Sequence, residues 1–431
     1  MRLFASTKLH TIFKMGCLFM ACYLTPLLLS SCSSEEDIRQ PETTSHAVTI
    51  SFNLRIHTED DTRSGRQIWS RTPRQQVNDM KVYVFKGSDL AATYVTSVPV
   101  AEFINSYPNS TETHSVTFTA DLEEGTYSFL AVGFESDIKD GTVLPNETYH
   151  LENDVDGVWT PQITPGLSTL EEMNIVLNAG KNVDEVFAGI KQGIMINADS
   201  KVVKGGSIIL NRIPAGLLGY FENIPYQLPT SEGDMERVTR LAVVASVKGY
   251  RARLLPPFNA MEMGTGNYEL LSFDLSSLSV DTDHNRYSIP AYDWRAEGLE
   301  EAPKGVRKIN NSVLGGCFLL PAHASKNPTL QVVLYGGETG EKVLKTYDVV
   351  CADHILNDNT SENAAKQDNR RFDIIANHYY SLGVKYTDSG EDPDDDPPQP
   401  FKPDDPIDLS KEQIITINVS PGWDQRHDMT L

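Results

Sequence analysis

The sequence predicts an all-β protein: two β-sandwich domains in tandem, then a linker and one further strand. Three observations carry that expectation. Apolar and polar residues alternate with a period of two along many short runs, turn-forming residues separate the runs, and no long stretch has helical spacing. Strands that bury only one face must stack in two sheets to hide it.

The clearest strand holds Val48, Ile50, Phe52, Leu54 and Ile56, with Thr49, Ser51, Asn53 and Arg55 between them. A helix cannot bring those five side chains to one face, but a strand does. Met80–Phe85 follows, stopped at Gly87, and then Val116–Ala120, a turn at Asp121–Gly125, Tyr127–Phe134 and Met173–Leu177. These runs make up a first domain, residues 46–200. A second domain, residues 201–387, is expected from Ser207–Leu210, Leu217–Phe221, Arg240–Val244, Tyr268–Phe273, Cys317–Leu320, Leu330–Tyr335 and Tyr379–Val384. A short helix is allowed only at Ser361–Arg371.

Residues 388–409 change character, with Asp394-Asp395-Asp396-Pro397-Pro398 and Asp404-Asp405-Pro406. Proline blocks ladder formation and like charges extend the chain, so this reads as a linker. Adjacent carboxylates do not by themselves enclose a calcium ion with six or more oxygens. Alternation then returns in residues 410–431, at Ile415, Ile417 and Val419, followed by Trp423. Such a strand must bury its face either on its own sandwich or in another molecule.

The other end reads as an export signal. Arg2, Lys8 and Lys14 precede an apolar stretch from Met15 to Leu29, which closes with Leu29-Ser30-Ser31-Cys32. This ending resembles the bacterial lipobox. Residues 1–31 are therefore expected to be removed and Cys32 acylated, with more than one chain because a single one anchors weakly. Pro26 and the shortness of the run argue against a membrane span. Residues 32–45 form an acidic tether, and Ser33-Ser34-Glu35-Glu36-Asp37 resembles the signal that sends such lipoproteins to the outer face of the outer membrane.

The net charge is −22, and nearer −25 once the three basic residues of 1–31 are gone. A surface that acidic disfavours nucleic acid and anionic lipid as partners. Beyond the leader and Cys32 only Cys317 and Cys351 remain. Pairing and burial as free thiols are both open to them. Catalytic and metal-binding patterns are missing: the ten histidines show no ligand spacing, there is no nucleophile elbow, and Gly205-Gly206-Ser207 precedes a strand rather than an anion-binding helix. No catalytic residue, metal or cofactor is expected.

Several segments together resemble the two-domain fimbrillins of Bacteroides-type bacteria, in particular the FimB-like anchor and minor subunits. They are Met80–Gly87, Gly125–Val132, Asp184–Gly189, Ile209–Arg212, Phe318–Pro321, Asn377–Leu382 and the Ile415–Val419 strand with Trp423. The resemblance implies two transthyretin-like sandwiches, a cell-surface lipoprotein of the outer membrane, and other fimbrial subunits as partners. It also implies assembly by strand exchange: a retained first strand, Val48 to Ile56, closes the anchor on itself, while a tail strand carrying Ile415, Ile417, Val419 and Trp423 enters a neighbour. In stalk subunits of that family the first strand is cut off after an Arg. Arg63, Arg66, Arg71 and Arg74 stand where such a cut would fall, in what otherwise reads as a basic loop. This mechanism expects the tail to have no home in its own fold. The rival reading, a surface glycan-binding lipoprotein, needs an aromatic platform from Trp69, Trp159, Trp294 and Trp423, which are dispersed in the sequence.

Overall fold

A computed structural model describes residues 45–56, 76–100, 105–106, 114–136, 138–140, 142–155, 158–290, 309–323, 328–337, 339–351, 370–383 and 406–420. The described residues are all-β, with no helix among them. The helix allowed at Ser361–Arg371 falls almost wholly outside them.

Seven strands form the first sheet, in the order Thr93–Pro99, Asp79–Lys86, Gly125–Phe134, Val186–Ile196, Val202–Arg212, His46–Ile56 and His114–Leu122. Alternation explains its edge: along His114–Leu122 the residues Val116, Phe118, Ala120 and Leu122 are buried, and those between them are exposed or nearly so. The middle strands instead bury both faces, which is why Gly125–Phe134 reads as a continuous apolar run. Its Tyr127, Phe129 and Ala131 join the core around the first strand. Leu130 and Val132 point the other way, into a second core with Ile175, Ile213, Leu254, Phe258 and Leu320.

That second core binds the two halves of the chain together. The larger sheet runs Val158–Thr160, Tyr149–Val155, Asn174–Leu177, Met235–Arg253, Leu330–Gly336, Lys342–Cys351, Ile414–Ser420, Tyr379–Leu382, Ala215–Glu222 and Ser312–Leu319, with Ala260–Asp274 along the other side of Met235–Arg253. Strands from the first half, Tyr149–Leu177, therefore continue into the sheet of the second, because Asn174–Val176 pairs with Arg251–Arg253. In the opposite sense Val202–Arg212, expected to open the second sandwich, lies in the first sheet. Its Ile208 and Leu210 are fully buried beside Val48 and Leu54, so the expected boundary near residue 200 falls inside one sheet.

Where the chain passes between the sheets, Arg212 Nε donates to Glu185 Oε1 at 2.9 Å, with the two side chains only 1% and 4% exposed. The guanidinium also lies 5.3 Å from the Phe187 ring centre and donates to Asn377 Oδ1 at 3.3 Å. Burying this charge demands such partners.

Because Leu130 is fully buried in the core shared by both halves, Leu130→Ala should cost about 2–5 kcal/mol. Urea unfolding followed by near- and far-UV circular dichroism should remain a single transition. Two separated transitions would show that the halves unfold independently.

Candidate functional site: the first strand and the tail strand

Each candidate exchange strand sits between two strands that do not pair with each other. The first strand runs parallel to Val202–Arg212, matched over Thr49–Ile56, and antiparallel to His114–Leu122, matched over His46–Leu54. Val48, Ile50, Phe52 and Leu54 are each at most 1% exposed. The side chain of Ile56 lies outside the described residues. The Phe52 ring is 4.9 Å from that of Phe129 and 6.2 Å from that of Phe118.

The register on the parallel side shifts between Ser51 and Phe52, opposite Gly205-Gly206. A Cβ on Gly205 would come within 1.9 Å of the Phe52 ring, and Gly206 has φ of +82°. These glycines therefore form the bulge that lets the ring lie against the neighbouring backbone. Sequence reasoning set the pair aside as a failed anion loop. Two glycines inside an alternating run are the signal that was available.

The tail strand, Ile414–Ser420, occupies a comparable gap in the larger sheet. It runs parallel to Lys342–Cys351, matched over Ile414–Ile417, and antiparallel to Tyr379–Leu382, matched over Ile417–Ser420. Ile415 and Ile417 are 1% and 2% exposed and pack in one core with Tyr347, Val349, Cys351, Tyr380 and Leu382. This corrects the expectation that the tail has no home in its own fold. The reason is physical: without the tail, the strands on both sides would keep unpaired backbone groups and an uncovered apolar strip. The side chain of Val419 and all of Trp423 lie outside the described residues.

The approach to the tail is also ordered where linker was expected. Ile407–Asp408 pairs with Phe221–Glu222, and Leu409 is fully buried. The Leu409 N–H donates to the Glu222 carbonyl at 3.0 Å, and the Tyr347 hydroxyl donates to the Leu409 carbonyl at 2.8 Å. Burial works against ionisation of Asp408, but hydrogen bonds from Lys411, Ser410 and Asn223 outweigh it and hold the carboxyl below its usual range. The Tyr347–Leu409 latch was invisible in the sequence, since nothing in the pattern brings positions 62 residues apart together.

Cys32, Arg63, Arg66, Arg71 and Arg74 lie outside the described residues, as do Trp69 and Trp294. Trp159 is half-buried, and one face of its ring is covered by Arg251, whose guanidinium carbon is 4.4 Å from the ring centre. Cys317 and Cys351 are both free thiols, and burial pushes Cys317 up to about 12. No group of three or more His, Cys, Asp or Glu able to hold a metal occurs among the described residues.

No family model matches the chain, and no curated protein does. Among solved structures it is similar to a candidate adhesin from Bacteroides ovatus at 12% identity and TM-score 0.35, covering 78% of this chain and 90% of that one. A candidate cell adhesion protein from Parabacteroides distasonis matches at 9% identity and TM-score 0.34, over 86% and 95% of the two chains. A fimbrilin from Porphyromonas gingivalis matches at 11% identity and TM-score 0.34, over 87% and 97%.

Gly205→Ala should destabilise the protein by about 1–3 kcal/mol through overpacking, and Phe52→Leu in the same chain should recover part of that loss. A double-mutant cycle in urea checks this; strict additivity would mean that the two sites do not meet as described. Tyr347→Phe, which deletes the bond to Leu409, should cost about 1 kcal/mol and speed hydrogen exchange in residues 406–420 specifically.

Proposed function

We propose that this protein is a cell-surface lipoprotein of a fimbrial apparatus, an anchor or minor structural subunit that joins its neighbours by strand exchange through its tail. The observation that carries this reading is the unequal hold on the two inserted strands. The first strand is matched over eight and nine of its eleven residues on its two sides, whereas the tail is matched over four of its seven on each side. At about 1.5–3 kcal/mol per fully buried apolar side chain, the described side chains give four such residues in the first strand and two in the tail, roughly 6–12 against 3–6 kcal/mol before entropy.

The first strand is therefore the one to stay and the tail the one to leave. That division suits an anchor, which keeps itself closed and offers a strand. In a neighbour's groove the tail would regain main-chain hydrogen bonds and fill pockets with alternate side chains. Leaving one sheet for another of matching polarity exchanges like for like, so concentration and local geometry decide the outcome. The acidic, proline-rich stretch ahead of residue 406 would give the tail reach, and lipid on Cys32 would hold the assembly at the outer membrane.

Cutting the tail away is a poor test, because it uncovers Val349, Cys351, Tyr380 and Leu382. Locking it is cleaner. Ser381 and Asn418 stand opposite each other in the antiparallel ladder, so Ser381→Cys with Asn418→Cys, in a Cys351→Ala background, should tie the tail to its own sheet when oxidised. The locked protein should reach the cell surface folded yet fail to co-purify with fimbrial subunits, and reduction should restore the association. Undiminished co-purification of the oxidised protein would refute exchange through the tail.

A further inference from the structure

Three of the segments singled out in the sequence, Asp184–Gly189, Ile209–Arg212 and Asn377–Leu382, converge on one buried cluster. Glu185 stands just before Val186–Ile196 of the first sheet, Arg212 closes Val202–Arg212, and Asn377 stands just before Tyr379–Leu382, the strand that flanks the tail. Neither resemblance nor periodicity assigned these residues a task.

Their position between the two inserted strands is specific. Val202–Arg212 borders the first strand along Val202–Leu210. On its other side it is paired with Val186–Ile196 only through Asn211 and Arg212, opposite Ala188 and Phe187. If the first strand leaves, Val202–Arg212 therefore stays hydrogen-bonded to its sheet mainly at the Arg212 end. The guanidinium at that end reaches across to Asn377 Oδ1, and Asn377 N donates to the Pro214 carbonyl at 3.2 Å. Two residues further on, Tyr379 faces Ser420 of the tail strand. Asn377 holds a left-handed backbone, φ +56°, so its side chain is presented from a tight turn rather than from a pliable extended segment.

We propose that the Glu185–Arg212–Asn377 cluster couples the two inserted strands, so that loosening the first strand loosens the seat of the tail. The physical basis is that a buried guanidinium bonded to two segments must stretch or break one of those bonds when the segments part, at a cost that is high where water is excluded. Motion of the Val202–Arg212 strand is thus either resisted by the cluster or passed to the strand beside the tail. Such coupling is reciprocal, so a seated tail also steadies the first strand. It is a property of the fold; its use, setting how readily the tail leaves its own sheet, rests on the strand-exchange reading.

Hydrogen exchange on the full mature chain in detergent tests it. Ile50→Ala, which loosens the first strand, should accelerate exchange of the tail amides about tenfold while leaving Leu330–Gly336 in the same sheet unchanged. In a Glu185→Leu/Arg212→Met background, an apolar pair of similar bulk, the same Ile50→Ala change should leave the tail unaffected. Asn377→Gly, which keeps the turn and removes the amide, should uncouple the strands equally, and it serves if the double variant does not fold. Three results would overturn the proposal: no response of the tail to Ile50→Ala, an equal response with and without the cluster, or equal acceleration in Leu330–Gly336. The measurement involves no partner subunit, so its failure leaves the fimbrial reading standing, and failure of the disulfide lock leaves the coupling standing.

Discussion

A strand with no neighbour on one side is the constraint from which the rest of this molecule follows. Every main-chain N–H and C=O along an open, apolar edge needs a partner, and here two gaps, one in each sheet, are filled by the two ends of the described chain. The first strand closes the space between Val202–Arg212 and His114–Leu122, and the tail closes that between Lys342–Cys351 and Tyr379–Leu382. In both gaps one neighbour is parallel and the other antiparallel. Parallel neighbours cannot be joined by a tight hairpin, so each inserted strand comes from far away in sequence. That topology makes a strand separable without cutting the sheet's own hairpins.

The sheets do not stand alone. Gly125–Phe134 and its neighbours bury both faces, one toward the first strand and the other toward residues of the second half such as Leu254, Phe258 and Leu320. The core around the first strand and the core at the junction thus share the strand Gly125–Phe134. The buried Arg212–Glu185 pair sits at that junction, where a uniformly apolar contact would allow sliding. A buried charge there requires specific partners, which Glu185 and Asn377 supply.

Much of this was legible in the residues, and the misses have physical causes. Alternation from Val48 to Leu54 and from Ile415 to Val419 marked both inserted strands, because strict alternation over several residues argues a strand. What alternation does not encode is whose core receives the face. Ile415 and Ile417 fit an intramolecular gap as well as a neighbour's, and only the spatial relation of Lys342–Cys351 to Tyr379–Leu382 decides that they are at home here. The division near residue 200 misled for a similar reason: Ile208 and Leu210 follow a turn, but that turn doubles the chain back into the same sheet. Gly205-Gly206 was misjudged because its purpose is set by Phe52, more than 150 residues earlier. Arg212 gave no warning at all, since a lone arginine at a strand end is far more often exposed than buried.

The seated tail removes the mechanism as first expected, a strand with no place in its own fold, and leaves exchange only in the form proposed above, by release from its own sheet. A donor strand with no resting place would leave the free subunit with an apolar ribbon in water, prone to pair indiscriminately edge to edge. In the proposed exchange, housing the strand in its own sheet until a partner arrives would avoid that hazard, provided the hold can be released. Among the described side chains two isoleucines are buried in the tail against four apolar residues in the first strand, and the tail's ladders are the shorter, which is the difference the proposed exchange relies on. The same bookkeeping explains why the approach to the tail is fastened separately, through Leu409 against Tyr347 and Glu222. A short strand exposed to thermal fraying stays in register when its N-terminal side is pinned, and it is freed when that pin is drawn.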